Sequence, residues 1–165
     1  MTNAVGLASV RPCRASDDAL LYDVFCTTWR SEVAALPNQN LAQHVLRIQH
    51  IAQERRLEST HPGMERFVVL TDHLPAGRLY LDRTGARIEV LDLTLLERFR
   101  GEGVGTRLLA ELFDTATHEA RAITLRVPRR HERVTGFYLD RGFALTAVDD
   151  LDNTLVWTPA RVSSH

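Results

Sequence analysis

The sequence contains no lysine. All twenty of its basic residues are arginine, set against twenty-one acidic residues for a formal charge of −1. A balance this close offers no excess charge to hold nucleic acid or an anionic membrane surface. Cysteine is equally scarce: Cys13 and Cys26 are too few for a disulfide framework or a zinc site. No apolar run approaches the ~18 residues of a membrane span. Met1 to Val10 lacks the basic start and apolar stretch of a secretory leader. These absences predict a cytoplasmic protein with no nucleic-acid and no membrane partner. What is present, 44% hydrophobic and 25% charged residues in a chain of 165, fits one domain over 1–165 with a buried core. The ends, 1–9 and 160–165, read as loose termini.

Along the chain there is no internal repeat and no low-complexity linker. A short strand is predicted near Leu7–Arg11. Ser16-Asp17-Asp18 signals a helix start, and Leu20, Leu21, Val24, Phe25, Thr28 and Trp29 follow at helical spacing. Pro37 and Asn38 interrupt. A second helix carries Leu41, Val45, Ile48, Ile51 and Ala52 on one side, and Thr60 to Gly63 ends it. Strands follow at Phe67–Leu70 and Arg78–Asp82, separated by a turn over Asp72–Gly77, and then at Ile88–Leu95. A helix runs from Gly103 to about Glu119, with Val104, Leu108, Leu109, Leu112, Phe113 and Ala116 facing inward. Ile123–Val127 is a strand, His131–Arg141 a short helix, and Phe143–Val148 with Thr154–Trp157 a closing hairpin. The order β-α-α-β-β-β-α-β-α-β-β predicts an α/β fold with one mixed sheet and helices on both faces.

The densest signal is Arg100-Gly101-Glu102-Gly103-Val104-Gly105-Thr106, between the strand and the helix. Alternating glycines let backbone amides converge, and at a helix N-terminus such amides attract phosphate-like anions. A dinucleotide fingerprint begun at Gly101 would need glycine where Thr106 stands, and a P-loop needs the lysine this chain lacks. A helix that merely begins in a glycine-rich turn is the plainer alternative.

This segment resembles the R-x-x-G-x-G motif of the GNAT N-acetyltransferase superfamily. Downstream, Phe137-Tyr138-Leu139-Asp140-Arg141-Gly142-Phe143 resembles that family's Y-x-x-x-G-F, and one helix and one strand separate the two, as in the family. The resemblance is detailed over 77–158 and rests on element order over 10–60. It implies a GNAT-like fold with the fourth and fifth strands splayed around an acyl-CoA site. It also implies that Arg100, Gly101, Gly103, Val104, Gly105 and Thr106 hold the diphosphate of coenzyme A through backbone donors. The pantetheine arm would pair with Leu93, Thr94 and Leu95 like an added strand, with the Leu95 amide at the thioester carbonyl.

By the same resemblance Tyr138 is the acid that protonates the leaving thiolate; a core tyrosine is the alternative. For the base, Glu89 is preferred and Asp92 is the second candidate. Being three apart, they fall on opposite faces of a regular strand unless a bulge lies between them. His131 stands where relatives often have asparagine, seven residues before the tyrosine, and serves as a polar contact to the cofactor, a proton shuttle or a helix cap. Trp29 and Arg30 are the candidate acceptor-binding pair. The implied activity is transfer of an acetyl group from acetyl-CoA to a primary amine of a small molecule by direct attack, without a metal. Alternatives are a non-catalytic acyl-CoA-binding module and acetylation of a protein or peptide amine. A monomer or homodimer is expected. Lacking lysine, the chain could acylate itself only at its N-terminus.

Overall fold

The structure is a computed structural model that describes residues 7–161; the expected loose ends at 1–6 and 162–165 lie outside the described residues. Seven strands, β1 (Val10–Pro12), β2 (Glu65–Thr71), β3 (Leu74–Asp82), β4 (Ile88–Leu95), β5 (Ile123–Pro128), β6 (Ala144–Val148) and β7 (Asp152–Trp157), form one sheet in the order β1-β2-β3-β4-β5-β7-β6. Neighbours are antiparallel except β4 and β5, which run parallel. The helices are α1 (Asp18–Thr28), α2 (Arg30–Ala34), α3 (Gln39–Thr60), α4 (Val104–His118) and α5 (Glu132–Leu139). The order read from the sequence holds, with the five-residue α2 as an addition. A parallel pair needs a crossover, and α4 supplies it between β4 and β5.

The main core lies between the sheet and α4 with α5. Val104, Leu108, Leu109, Leu112 and Ala116 of α4 meet Leu79, Leu81, Val90, Leu125 and Val127 of the sheet, all buried. Their spacing is that of one helical stripe against alternating strand positions, as the sequence pattern required.

On the opposite face α1 and α3 cover a more polar sheet surface, and here the sequence pattern misleads. Leu41, Val45, Ile48 and Ile51 are exposed, up to 65% at Ile48, while Ala42 and Leu46 turn inward. The inner side of α3 further along is polar: Glu54 accepts from Tyr80 and Arg66, and Gln53 accepts from Arg78. The sheet offers hydrogen-bonding groups at that place, so the helix rotates its polar stripe onto them. Asn38 opens α3 by accepting from the Leu41 amide.

The turn expected over 72–77 is shorter than predicted. Asp72 and His73 both take positive φ, 48° and 64°, a two-residue hairpin turn of the kind that matches strand twist. Strand β3 therefore starts at Leu74 and runs through Pro75, which lies outside the β4 pairing that begins at Gly77. Among the described residues no helix is long and apolar enough to cross a membrane.

Candidate active site

The glycine loop bends at Gly101 and Gly103, with φ of 77° and 78°, and α4 starts at Val104 without a side-chain cap. The amides of residues 101–106 donate to no group among the described residues, and a Cβ on Gly101 or Gly103 would meet nothing within 4 Å. Open space thus lies over a row of free donors at the positive end of a fifteen-residue helix. These residues fit a diphosphate. Arg100 is different: its amide is committed to the Glu97 carbonyl, and its Nε donates to the Leu95 carbonyl. It is not a free backbone donor as the sequence reading had it.

Strands β4 and β5 pair at Ile88↔Ile123, Glu89↔Thr124 and Val90↔Leu125, and then part, although β4 continues to Leu95. Beyond that point β5 pairs only with β7. The Leu96 amide crosses to the Ala76 carbonyl of β3. Strand alternation therefore turns the main-chain groups of Leu93 and Leu95 into the fork and those of Thr94 toward β3. Thr94 offers the fork no backbone edge; its hydroxyl instead donates to Asp92 at 2.7 Å.

The register on the β3 side steps from Leu81↔Val90 to Tyr80↔Asp92, leaving Leu91 as an extra, bulged residue. That bulge places Glu89 and Asp92 on one face, toward α1 and α3, rather than on opposite faces. Their surroundings differ. Glu89 lies in the paired half of β4, with its Oε2 3.7 Å from His61 Nδ1. His61 also donates to Asp82 at 2.9 Å, and Thr84 donates twice to the same carboxylate. Those hydrogen bonds, led by the Thr84 hydroxyl, pull the Asp82 carboxyl down to about 2. His61, Asp82 and Glu89 bring three ligand-type atoms within 4.8 Å, so this is where the described residues could gather a cation. Asp92 is the first paired residue past the last β4–β5 pair. Its carboxylate takes one bond from Thr94 and one, at 2.6 Å, from Arg78, whose side chain is 1% exposed.

Tyr138 enters the core from α5, with Phe137 and Phe143 set edge-on at 5.2 Å each. Val134 is exposed, because α5 turns Thr135 and Tyr138 inward. Burial pushes the Tyr138 phenol upward, and the Asp92 charge adds to the shift. The phenol therefore carries its proton at neutral pH.

Two contacts tie the α1–α2 junction to the two banks of the fork. Arg30 of α2 pairs with Glu97 just after β4, and Trp29 lies under the guanidinium of Arg130, 5.4 Å away, just after β5. His131 is the N-cap residue of α5, but its side chain does not cap; its Nε2 accepts from Arg130 Nε at 3.2 Å. Arg78, Glu97 and Arg130 escaped sequence reading because arginine and glutamate read as solvated surface. A clue for Arg78 was its place between Gly77 and Leu79 in an otherwise apolar strand.

A sheet forked between its fourth and fifth strands, with an anion cradle at the fork, defines a class of acyl-CoA-dependent transferases. The sequence matches the Acetyltransferase (GNAT) family over residues 21–143, and the chain belongs to that family. Among solved structures it resembles a PaiA N-acetyltransferase from Thermoplasma acidophilum in complex with coenzyme A. That likeness has a TM-score of 0.68 and 18% identity, over 90% of this chain and 97% of that one. It also resembles a histone acetyltransferase HPA2-related acetyltransferase from Corynebacterium glutamicum, with a TM-score of 0.66, 18% identity and coverage of 94% and 98%. An acetyltransferase from Thermus thermophilus gives 0.65 at 17% identity, over 93% and 99%. At such identities the likeness is one of fold. No curated protein sequence matches the chain. Family membership supports an acyltransferase that draws on coenzyme A.

Proposed function

We propose that the protein transfers an acetyl group from acetyl-CoA to a primary amine of a small molecule, by direct attack within a ternary complex. The observation that carries this reading is the fork: its edge without a strand partner, Leu93 and the Leu95 amide, leads to the row of amides from Gly101 to Thr106 that have no partner among the described residues. In this reading the amides hold the diphosphate, the pantetheine arm pairs along the edge, and the thioester rests at the Leu95 amide. His131 stands on the far bank as a polar contact.

The acceptor approaches between α1 and the open half of β4. Asp92 is favoured over Glu89 as the group that receives it, because Asp92 lies at the opening and Glu89 in the closed half of the strand. The amine nitrogen attacks the thioester carbon, and the oxygen gains negative charge against the Leu95 N–H. The carbon–sulfur bond then breaks. The thiolate takes the Tyr138 proton, and the proton on nitrogen leaves to Asp92. Arg78 and Thr94 orient the carboxylate and leave each oxygen a further acceptor site. The α1–α2 junction, tied to both banks through Arg30 and Trp29, borders the approach, which suits a small amine better than a polypeptide.

An acetyl-CoA-dependent panel of amino acids, polyamines, aminoglycosides and peptides, read by thiol release, tests this. Tyr138→Phe should keep coenzyme A affinity and lose about 10²-fold or more in turnover. If no amine releases thiol above background while coenzyme A still binds, the chain is a binding module.

A further inference from the structure

The guanidinium of Arg141 occupies an unusual place. It follows α5, yet its Nη2 and Nε reach Thr106 Oγ1 in the first turn of α4, at 2.8 Å and 3.3 Å. Its Nη1 donates to the Phe137 carbonyl at 2.8 Å, and its carbon centre lies 3.6 Å above the Phe137 ring. Three hydrogen bonds and one ring stack thus fix one cation beside the glycine loop, and every one of these partners is neutral. Helix N-termini favour negative charge and disfavour positive charge, because their free amides already carry the positive end of the dipole. Among the described residues no carboxylate pairs with this cation, so these contacts give it no charge compensation. An anion placed over the same amides would provide it.

We infer that Arg141 is a ligand of the coenzyme A diphosphate, working with the Thr106 hydroxyl. This inference rests on the coenzyme A reading and adds to it a charged group that backbone amides cannot supply. Thr106 Oγ1 accepts from Arg141, so its own hydrogen is free to point over the loop at a phosphate oxygen. The guanidinium, already stacked and anchored, loses little freedom on binding. Its remaining N–H groups add charge-assisted bonds to the phosphate. The consequence is an affinity that depends on salt and on the phosphates, not on the thioester end.

The experiment is calorimetry of coenzyme A, and of its form lacking the 3′-phosphate, on the wild type, Arg141→Met and Arg141→Lys. Turnover of acetyl-pantetheine, which carries no phosphate, is measured alongside. The methionine variant keeps the stack on Phe137 and removes the charge. It is expected to weaken both coenzyme A forms roughly ten- to hundredfold, to flatten the salt dependence and to lower acetyl-pantetheine turnover by less than it lowers acetyl-CoA turnover. The lysine variant should recover part of the affinity, which a purely structural role would not do. Unchanged coenzyme A affinity in folded Arg141→Met overturns the inference. So does a loss confined to the 3′-phosphorylated form, and so does an equal loss with acetyl-pantetheine. Failure of the wild type to bind coenzyme A at all would instead overturn the reading on which it rests.

Discussion

Side-chain size at Gly77 controls the near wall of the fork. A Cβ there would lie 2.2 Å from the Thr94 carbonyl oxygen and 2.9 Å from Leu95 Cα. Both are backbone atoms of a strand that has no β5 partner past Val90, so neither can yield without moving the fork edge. Gly77→Ala is expected to destabilise the protein by about 1–3 kcal/mol and to lower coenzyme A affinity, read by denaturant titration and calorimetry. Sequence reading gave Gly77 only the end of a turn, because a close approach between strands depends on register. Tyr138 and the loop glycines were legible for the opposite reason: their motifs are runs of neighbouring residues. The relation of Glu89 to Asp92 was not, since a single bulged residue, Leu91, decides which face each one takes.

Among the elements, the β3–β4 hairpin is braced from outside by Arg121. Arg121, between α4 and β5, donates to the carbonyls of Arg83, Gly85, Ala86 and Arg87, the shortest at 2.7 Å. Removing it leaves those carbonyls to water and frees the hairpin that feeds β4. Arg121→Ala should cost about 1–3 kcal/mol and raise hydrogen exchange over 83–88. No loss of protection there would dismiss the brace. The helices show how far periodicity reaches. In α4 the apolar stripe and the buried stripe coincide, since an apolar sheet lies beneath. In α3 they do not, since Tyr80, Arg78 and Arg66 call for its polar side.

For the whole molecule, acid is the expected weakness. Burial lowers the His50 imidazole from its ordinary 6.5, and its Nδ1 is sealed without a partner. Below that pH the unfolded chain binds a proton the folded chain resists, so stability falls as pH falls. Hydrogen bonding, chiefly from Arg11, holds the Asp17 carboxyl at about 2 instead of 3.8, and Asp82 is held at the same level. Their contribution is complete above pH 3.8 and is lost between there and about 2. Unfolding midpoints measured across pH should fall in two stages, and His50→Gln should remove the first. A midpoint flat from pH 7 to 5 would contradict this. By itself the sequence determined the order of elements, the glycine-rich turn that opens α4 and the place of Tyr138 on α5, because each is written in local spacing and backbone freedom. The tertiary structure alone decided which carboxylate stands at the fork, which side of α3 is buried and where Arg141 rests. Those depend on register and on groups far apart in the chain, which meet only when the sheet is assembled.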